Sequence, residues 1–280
     1  MAVLIDGKKV AAKVLDEVSK EIIDLAEQGK ETTLAVIIVG DNPASRVYVN
    51  NKKKDCAFVG IKSLEYALPE NTTQEELNEL IDKLNNDETV NGILCQLPLP
   101  KHLDEKAVIE RISPVKDVDA FHPVNVGHIT TGDYKFLPCT PAGIMELLKT
   151  YSIDVCGKTC VVIGRSNIVG KPMGLLLMHK DATVTICHSK TRNLSEVTKQ
   201  ADVIVVAVGK IRFLKADMVK DGAVIIDVGM HRDENGKLVG DVDFENVEPK
   251  ASYITPVPGG VGPMTRAILM KNTLTARKMQ

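Results

Sequence analysis

Thr159-Cys160-Val161-Val162-Ile163-Gly164-Arg165-Ser166-Asn167-Ile168-Val169-Gly170-Lys171-Pro172 is an apolar run that stops at a glycine and resumes as a helical pattern. That order predicts strand, tight turn, helix. Gly164 permits the sharp turn and Gly170 a close approach of helix to strand, so free amides at the helix start are expected to point at a pyrophosphate. The third glycine of the usual dinucleotide fingerprint is missing, so the stretch taken alone reads equally well as an ordinary βα turn. The chain that follows decides between them. Three more apolar runs, Ala182 to Cys187, Ala201 to Gly209 and Gly222 to Gly229, arrive with helical segments between them. Near-continuous Val and Ile without alternation suits a parallel sheet covered on both faces, which gives an α/β, doubly wound, Rossmann-like unit.

The end of the second of these strands predicts the cofactor. An NAD-binding unit usually carries Asp or Glu there, about 20 residues past the first glycine, to accept hydrogen bonds from the ribose hydroxyls. This chain has His188-Ser189-Lys190-Thr191 instead, and Arg165 stands in the glycine turn. Hydroxyls, a cation and a guanidinium fork suit a 2′-phosphate, so NADP is expected.

Composition sets the outer limits. A chain of 280 residues is long enough for two domains with separate cores, and 35 basic against 37 acidic residues, a net charge of -2, give no reason to expect nucleic acid or an anionic membrane as partner. No apolar run approaches the roughly 18 residues of a spanning helix, and the start Met1 to Lys9 is too short and charged for a secretory signal. A cytoplasmic protein acting on a small molecule is expected. The six cysteines lack the two-residue spacing of redox and zinc motifs, so free, mostly buried thiols and no metal site are expected.

Upstream of the glycine turn, Lys9 to Gln28 carries a helical apolar stripe, and Thr33 to Gly40 is β-rich. Asp41-Asn42-Pro43 then starts a helix, with Asn42 in position to cap it. Ser45, Tyr48 and Lys52 share one face of that helix. They suit either a reactive site or a surface pair with a snorkelling lysine. Strand and helix follow over Lys62 to Leu68 and Thr73 to Asn85. In Gly92 to Pro100, Gln96 is the polar residue that ends a buried strand before Leu97-Pro98-Leu99-Pro100, and it is either an anchor for the proline turn or a group facing a site. After a short helix over Asp104 to Ile112, Lys116-Asp117-Val118-Asp119 reads as a loop, its exposed carboxylates suited to turn chemistry or to a ligand's amino groups. Phe121 to Thr140 lacks a periodic apolar pattern and reads as an interdomain linker. Near the C-terminus, Thr255-Pro256-Val257-Pro258-Gly259-Gly260-Val261-Gly262-Pro263-Met264-Thr265 fixes an unusual backbone with several exposed amides, ahead of a helix over Arg266 to Lys278.

A Tyr-x-x-x-Lys pair with a glycine turn invites comparison with short-chain dehydrogenases, but there the pair follows the glycine turn, whereas Tyr48 and Lys52 precede Gly164 by over a hundred positions. The whole chain resembles instead the bifunctional methylenetetrahydrofolate dehydrogenase/cyclohydrolase family. The resemblance rests on Asn42-Pro43-Ala44-Ser45 through Tyr48-Val49-Asn50-Asn51-Lys52, Gln96 to Pro100, Lys116 to Asp119, and Gly164-Arg165-Ser166 with Val169 to Pro172. Cys187 to Thr191, Ile226-Asp227-Val228-Gly229 and Thr255 to Thr265 complete it.

That resemblance implies two α/β domains across a cleft: a folate-binding catalytic domain over residues 1–140, completed by the C-terminal helix 262–280, and an NADP-binding domain over 141–261. It implies NADP-dependent oxidation of 5,10-methylenetetrahydrofolate and hydrolysis of the methenyl product to 10-formyltetrahydrofolate, usually in a homodimer. By resemblance Lys52 carries the proton transfer, Gln96 holds Lys52 and the one-carbon centre, Tyr48 packs on the folate, and Asp119 pairs with the pterin's amino edge. Pro258, Gly259 and Gly260 also fall at substrate-binding positions, and Gly164, Arg165, Ser166, Ser189 and Met230 at cofactor-binding ones. Three residues depart from the family pattern: Ala120 stands for a glycine after Asp119, Ile211 for a proline after Gly209-Lys210, and Met230 for an isoleucine after Gly229. They bear on cofactor fit and loop placement and remove no reacting group. Two other classes fit parts of the pattern: an NADP-dependent dehydrogenase of a small hydroxy or amino acid, and a non-catalytic NADP-binding sensor.

Overall fold

The computed structural model describes residues 2–280, apart from the side chain of Ala44 in the Asn42–Ser45 stretch. In chain order the elements begin with β1 (Val3–Leu4), α1 (Gly7–Glu27), β2 (Thr33–Val39), α2 (Pro43–Val59), β3 (Lys62–Leu68), α3 (Gln74–Asn86) and β4 (Gly92–Cys95). Next come α4 (Glu105–Arg111), α5 (Pro123–Thr131), α6 (Cys139–Thr150), β5 (Thr159–Ile163), α7 (Gly170–Met178), β6 (Thr183–Cys187), α8 (Leu194–Thr198) and β7 (Val203–Val206). The chain closes with β8 (Val224–Asp227), β9 (His231–Arg232), β10 (Leu238–Val239), α9 (Phe244–Val247), β11 (Tyr253–Ile254) and α10 (Val261–Met279).

Two compact units result. One holds Ala12–Cys139 and Arg266–Gln280, the other the stretch ending at Ala11 together with Thr140–Thr265. In the first, three strands run in the order β3-β2-β4, all parallel. Every residue of β2, Thr-Leu-Ala-Val-Ile-Ile-Val, is buried, as a run without alternation requires of a central strand covered on both faces. Each Leu or Ile so enclosed contributes roughly 1.5–3 kcal/mol. Helix α3 buries Leu77, Ile81 and Leu84 against this core and starts at a capping box, in which the Thr73 hydroxyl accepts from the Glu76 amide and the Glu76 carboxylate from the Thr73 amide.

The second unit is built on a parallel six-stranded sheet in the order β1-β11-β8-β7-β5-β6. The strand β1 lies in this sheet because Val3 and Leu4 pair with Tyr253 and Ile254, so the start of the chain joins the unit of Thr140–Thr265 rather than the N-terminal stretch. In both sheets the order of strand addition reverses beside one strand, β2 in the first and β5 in the second. After β2 the chain builds β3 on one side and β4 on the other; after β5 it builds β6 on one side and β7 on the other. Such a switch point leaves a crevice at the carboxyl ends of the strands, the usual place for a ligand in open α/β sheets.

The expected linker over Phe121 to Thr140 contains a helix, α5. Its ends carry ordinary stop signals. His122 caps it through Nδ1, Pro123 takes the first position, and Gly132 closes it in the left-handed conformation at φ 81°. The interior, Pro-Val-Asn-Val-Gly-His-Ile-Thr-Thr, has too weak an apolar stripe to reveal a helix. The hairpin of β9 and β10 also went unpredicted; it turns over Asp233 to Gly236, where the Asp233 carboxylate accepts from the amides of Asn235 and Lys237. No helix among the described residues is long and apolar enough to cross a membrane.

Candidate active site

The switch point of the three-stranded sheet gathers the reactive side chains read from the sequence. Asn42 caps α2, its Oδ1 accepting from the Ser45 amide at 3.2 Å, and this fixes the helical phase that puts Tyr48 and Lys52 on one face. Lys53 leaves that face, its ammonium 3.6 Å from Glu65. At the end of β4, the Gln96 amide nitrogen of the backbone donates to Ile37 O at 2.8 Å, which continues the ladder one residue past the strand. Its side chain anchors the proline turn and also reaches Lys52. Nε2 donates to Leu97 O at 2.7 Å, beside the cis Leu97-Pro98 peptide, and Oε1 accepts from Lys52 Nζ at 3.0 Å. The lysine amine is therefore aimed by an amide that is itself locked.

Asp119 reaches this site because residues 116–118 run alongside β4, with the Ile93 amide donating to Lys116 O at 2.7 Å and a parallel bridge between Ile93 and Asp117. The motif divides its labour. Lys116 is buried and donates to Leu84 O and Asp87 O at the end of α3. Asp117 is buried and accepts from the His122 amide and Asn125 Nδ2, tying down the start of α5, and burial pushes its carboxyl up to about 6. Only Asp119 is left for a ligand. It is recessed rather than exposed as expected, and desolvation raises its pKa, with the Lys52 ammonium and a hydrogen bond from Cys139 Sγ at 3.7 Å pulling the other way. Ala120 follows in the left-handed region at φ 59° with its side chain buried, the conformation for which glycine is the usual choice.

Tyr48 is 37% exposed, so part of its side chain faces solvent. Burial pushes its hydroxyl upward, and the Arg266 guanidinium draws it back. That arginine, which the sequence did not mark, forms an ion pair with Asp55 of α2 at 2.9 Å.

At the switch point of the six-stranded sheet, Gly164 sits at φ 134°, and a Cβ there would stand 2.3 Å from Ala207 O. A Cβ on Gly170 would meet Gly164 O at 2.2 Å and the Arg165 amide at 2.8 Å. Both glycines are thus required by the close approach of the backbone at this turn. The amides differ from expectation. Those of Val169 and Gly170 already donate to Ser166 Oγ, at 3.2 and 3.3 Å, because Ser166 closes the loop on itself. Arg165, Ser166 and Ser189 are exposed, and the turns that bear them are joined where the Gly164 amide donates to Cys187 O at 2.9 Å. The chemistry of this donor set fits a dinucleotide carrying an extra phosphate.

Met230, 41% exposed, follows a braced turn that sequence reasoning missed. Asp227 accepts from the amides of Gly229, Asp241 and Val242, and Asp241 in turn accepts from those of Val208, Gly209 and Lys210 and contacts His231 Nε2 at 2.7 Å. Burial raises the Asp227 carboxyl to about 6 despite those three donors. A Cβ on Gly240 would stand 1.9 Å from Asp227 Oδ2, so this brace admits only glycine there. Its parts lie up to 33 residues apart, and no local pattern links them. Pro258, Gly259 and Gly260 stand at the start of α1: the Val257-Pro258 peptide is cis, the Lys8 amide donates to Gly259 O at 3.1 Å, and a Cβ on Gly7 would fall 1.8 Å from Gly260 O. Among the described residues no group of three or more His, Cys, Asp or Glu is set to hold a metal ion.

Comparison with known proteins extends over the whole chain. Residues 5–119 match the tetrahydrofolate dehydrogenase/cyclohydrolase catalytic domain, and residues 138–280 the NAD(P)-binding domain of the same family. The bifunctional protein FolD of Acetivibrio thermocellus is 62% identical over 279 residues, covering 100% of this chain and 98% of that protein. The crystal structure of the bifunctional FolD methylenetetrahydrofolate dehydrogenase/cyclohydrolase from Campylobacter jejuni superposes with a TM-score of 0.98 at 54% identity, covering 100% of this chain and 99% of the other. The enzyme of Trypanosoma brucei, solved with NADP cofactor and inhibitor, gives a TM-score of 0.95 at 40% identity and covers 99% and 98%.

Proposed function

This chain belongs to the tetrahydrofolate dehydrogenase/cyclohydrolase family, and from that premise we propose that Lys52, Gln96, Tyr48 and Asp119 carry its folate chemistry while Gly164, Arg165, Ser166, Ser189 and Met230 hold its NADP. The protein oxidises 5,10-methylenetetrahydrofolate to the 5,10-methenyl form with NADP and hydrolyses that product to 10-formyltetrahydrofolate. The observation that carries the residue assignment is the 3.0 Å contact of Lys52 Nζ with Gln96 Oε1 at a sheet switch point, with the Asp119 carboxylate close enough to feel the lysine's charge.

When bound, NADP supplies the hydride acceptor for the one-carbon bridge. The cation left on the folate is shared by two nitrogens, so the protein needs no strong base in this step, and its contribution is orientation. Tyr48 offers a ring face for the folate, Asp119 an acceptor for the pterin's amino edge, and Pro258, Gly259 and Gly260 a fixed backbone against the substrate. Hydrolysis does need a proton carrier. Water adds to the methenyl carbon as the amine of Lys52 takes up the proton that water loses; the bond from that carbon to N5 then breaks, N5 taking the hydroxyl proton and leaving the formyl group on N10, while Gln96 keeps the amine in place. The catalytic unit is read as Ala12–Cys139 with Arg266–Gln280, and the cofactor unit as the remainder. A homodimer and a cytoplasmic setting belong to the same reading and rest on the family likeness alone.

The assay is NADPH formation with 5,10-methylenetetrahydrofolate, scored beside the methenyl absorbance; no NADPH with the folate present would overturn the reading. For the cofactor, Arg165→Ala should weaken NADP about tenfold more than NAD, the worth of one charge-assisted contact to the 2′-phosphate. Equal losses in titrations of the two cofactors would place that phosphate on other residues.

A further inference from the structure

The face of α2 that bears Tyr48 and Lys52 continues one turn further, at i+3 from the lysine, to Asp55. This carboxylate is 13% exposed in its side chain, and burial raises its pKa. Its Oδ2 lies 2.9 Å from Arg266 Nη1, an ion pair between α2 and α10. Four residues on from Arg266, Met270 packs against Cys56 at 3.6 Å, which fixes α10 along the same stretch of α2. A largely buried anion one turn along the same helix face competes for the Lys52 side chain unless another cation holds it. The structure shows which cation does. Asp55 is balanced by Arg266, while Lys52 reaches Gln96 instead.

We propose that Arg266 is a positioning residue for the cyclohydrolase step: by neutralising Asp55 it keeps the Lys52 amine on Gln96 and available to the methenyl carbon. The inference rests on the reading of Lys52 as proton carrier. The titratable groups that feel the lysine's charge are Cys56 on its own helix, Cys95 at the end of β4, and Asp119 and Cys139 from the segments beside it, while Asp55 lies one turn along the same helix face, paired with Arg266. Asp119 is the ligand-facing anion of this set. Asp55 has no such task, so its charge is the one that must be silenced.

The test is kinetic and uses the full chain. Arg266→Gln should lower methenyltetrahydrofolate hydrolysis about tenfold, less than removal of the proton carrier itself, and leave dehydrogenase turnover within about twofold, since hydride transfer depends on geometry at the folate. Arg266→Lys should keep most of the hydrolysis. The double variant Asp55→Asn/Arg266→Gln removes the competing charge together with its guard, so hydrolysis should return to near the wild-type rate. A purely structural role for the pair predicts the opposite, with both activities falling together and no rescue. The proposal is overturned if Arg266→Gln hydrolyses at the wild-type rate, or if the double variant is as slow as the single one. Should Arg266→Gln fail to fold, Asp55→Asn decides, since the proposal requires it to keep hydrolysis. Lys52→Met run in parallel separates the two readings: wild-type hydrolysis there removes the lysine assignment, and this proposal with it, whereas lost hydrolysis there with none at Arg266→Gln refutes the positioning role alone.

Discussion

Lys52→Met should cut hydrolysis of methenyltetrahydrofolate by ~10²–10⁴, the usual loss when a general acid–base group is removed. Methionine keeps the length and apolar stem of the side chain, so Tyr48 and Asp119 still meet the folate, and dehydrogenase activity should survive at a measurable level. The methenyl intermediate then accumulates in a reaction started from the methylene form, and its absorbance rises where the wild-type trace stays low. Hydrolysis at the wild-type rate would shift the role to another group. His122 is poorly placed for it. Its Nδ1 accepts from the Val124 amide at 3.1 Å and its Nε2 lies 3.2 Å from Glu110 O, so one ring nitrogen caps α5 and the other meets the end of α4. The same experiment bears on Gln96. Its Oε1 accepts from the lysine but its Nε2 is bonded to Leu97 O, so in the Met variant the amide keeps its orientation and the loss measured belongs to the amine.

Much of this site could be read from the chain because its signals are local. Asn42 before Pro43 marks the start of α2, and the start sets the phase that aligns Tyr48 with Lys52. An unbroken β-branched run such as Thr33–Val39 favours a strand enclosed on both faces, and a polar residue at the end of such a run, as Gln96 is, must find partners. What escaped the sequence is held by contacts between distant residues. Val3 and Leu4 find their partners some 250 positions later, in β11. The Asp227–Asp241 brace shapes the turn before Met230 through backbone amides, which carry no side-chain signature. Ser166 takes amides that a glycine-turn pattern assigns to a ligand. Asp55 and Arg266 each read as an ordinary surface charge, and their meaning appears only when α10 lies against α2. In Lys116-Asp117-Val118-Asp119 the pattern is legible but the roles are not, because it is tertiary packing, with His122 and Asn125 on Asp117, that decides which carboxylate props the chain.

That division of roles makes Asp119→Asn the sharper probe of substrate binding. The substitution keeps the shape of the side chain and removes its charge, so the pair with the pterin's amino edge becomes a neutral hydrogen bond at best, with an amide NH₂ free to turn toward the donor. Folate affinity should fall by about 1.5–3 kcal/mol, roughly tenfold to 150-fold. Asp117 offers an internal contrast: its carboxylate is engaged by His122 and Asn125, so its replacement should act on stability before it acts on affinity. Acid adds a second signature. Desolvation outweighs the help Asp119 receives from Lys52 and Cys139, so its pKa lies above the ordinary carboxylate value. A carboxylate with a raised pKa loses its charge sooner as pH falls, and the charged form is the one that accepts from the pterin. Wild-type folate affinity should therefore weaken on acidification before an unperturbed Asp, near ~3.9, would titrate, while the Asn variant stays flat over that range. Binding titrations of the two proteins across mildly acidic pH read both effects at once. Equal affinity at neutral pH, or parallel curves on acidification, would remove Asp119 from the substrate site.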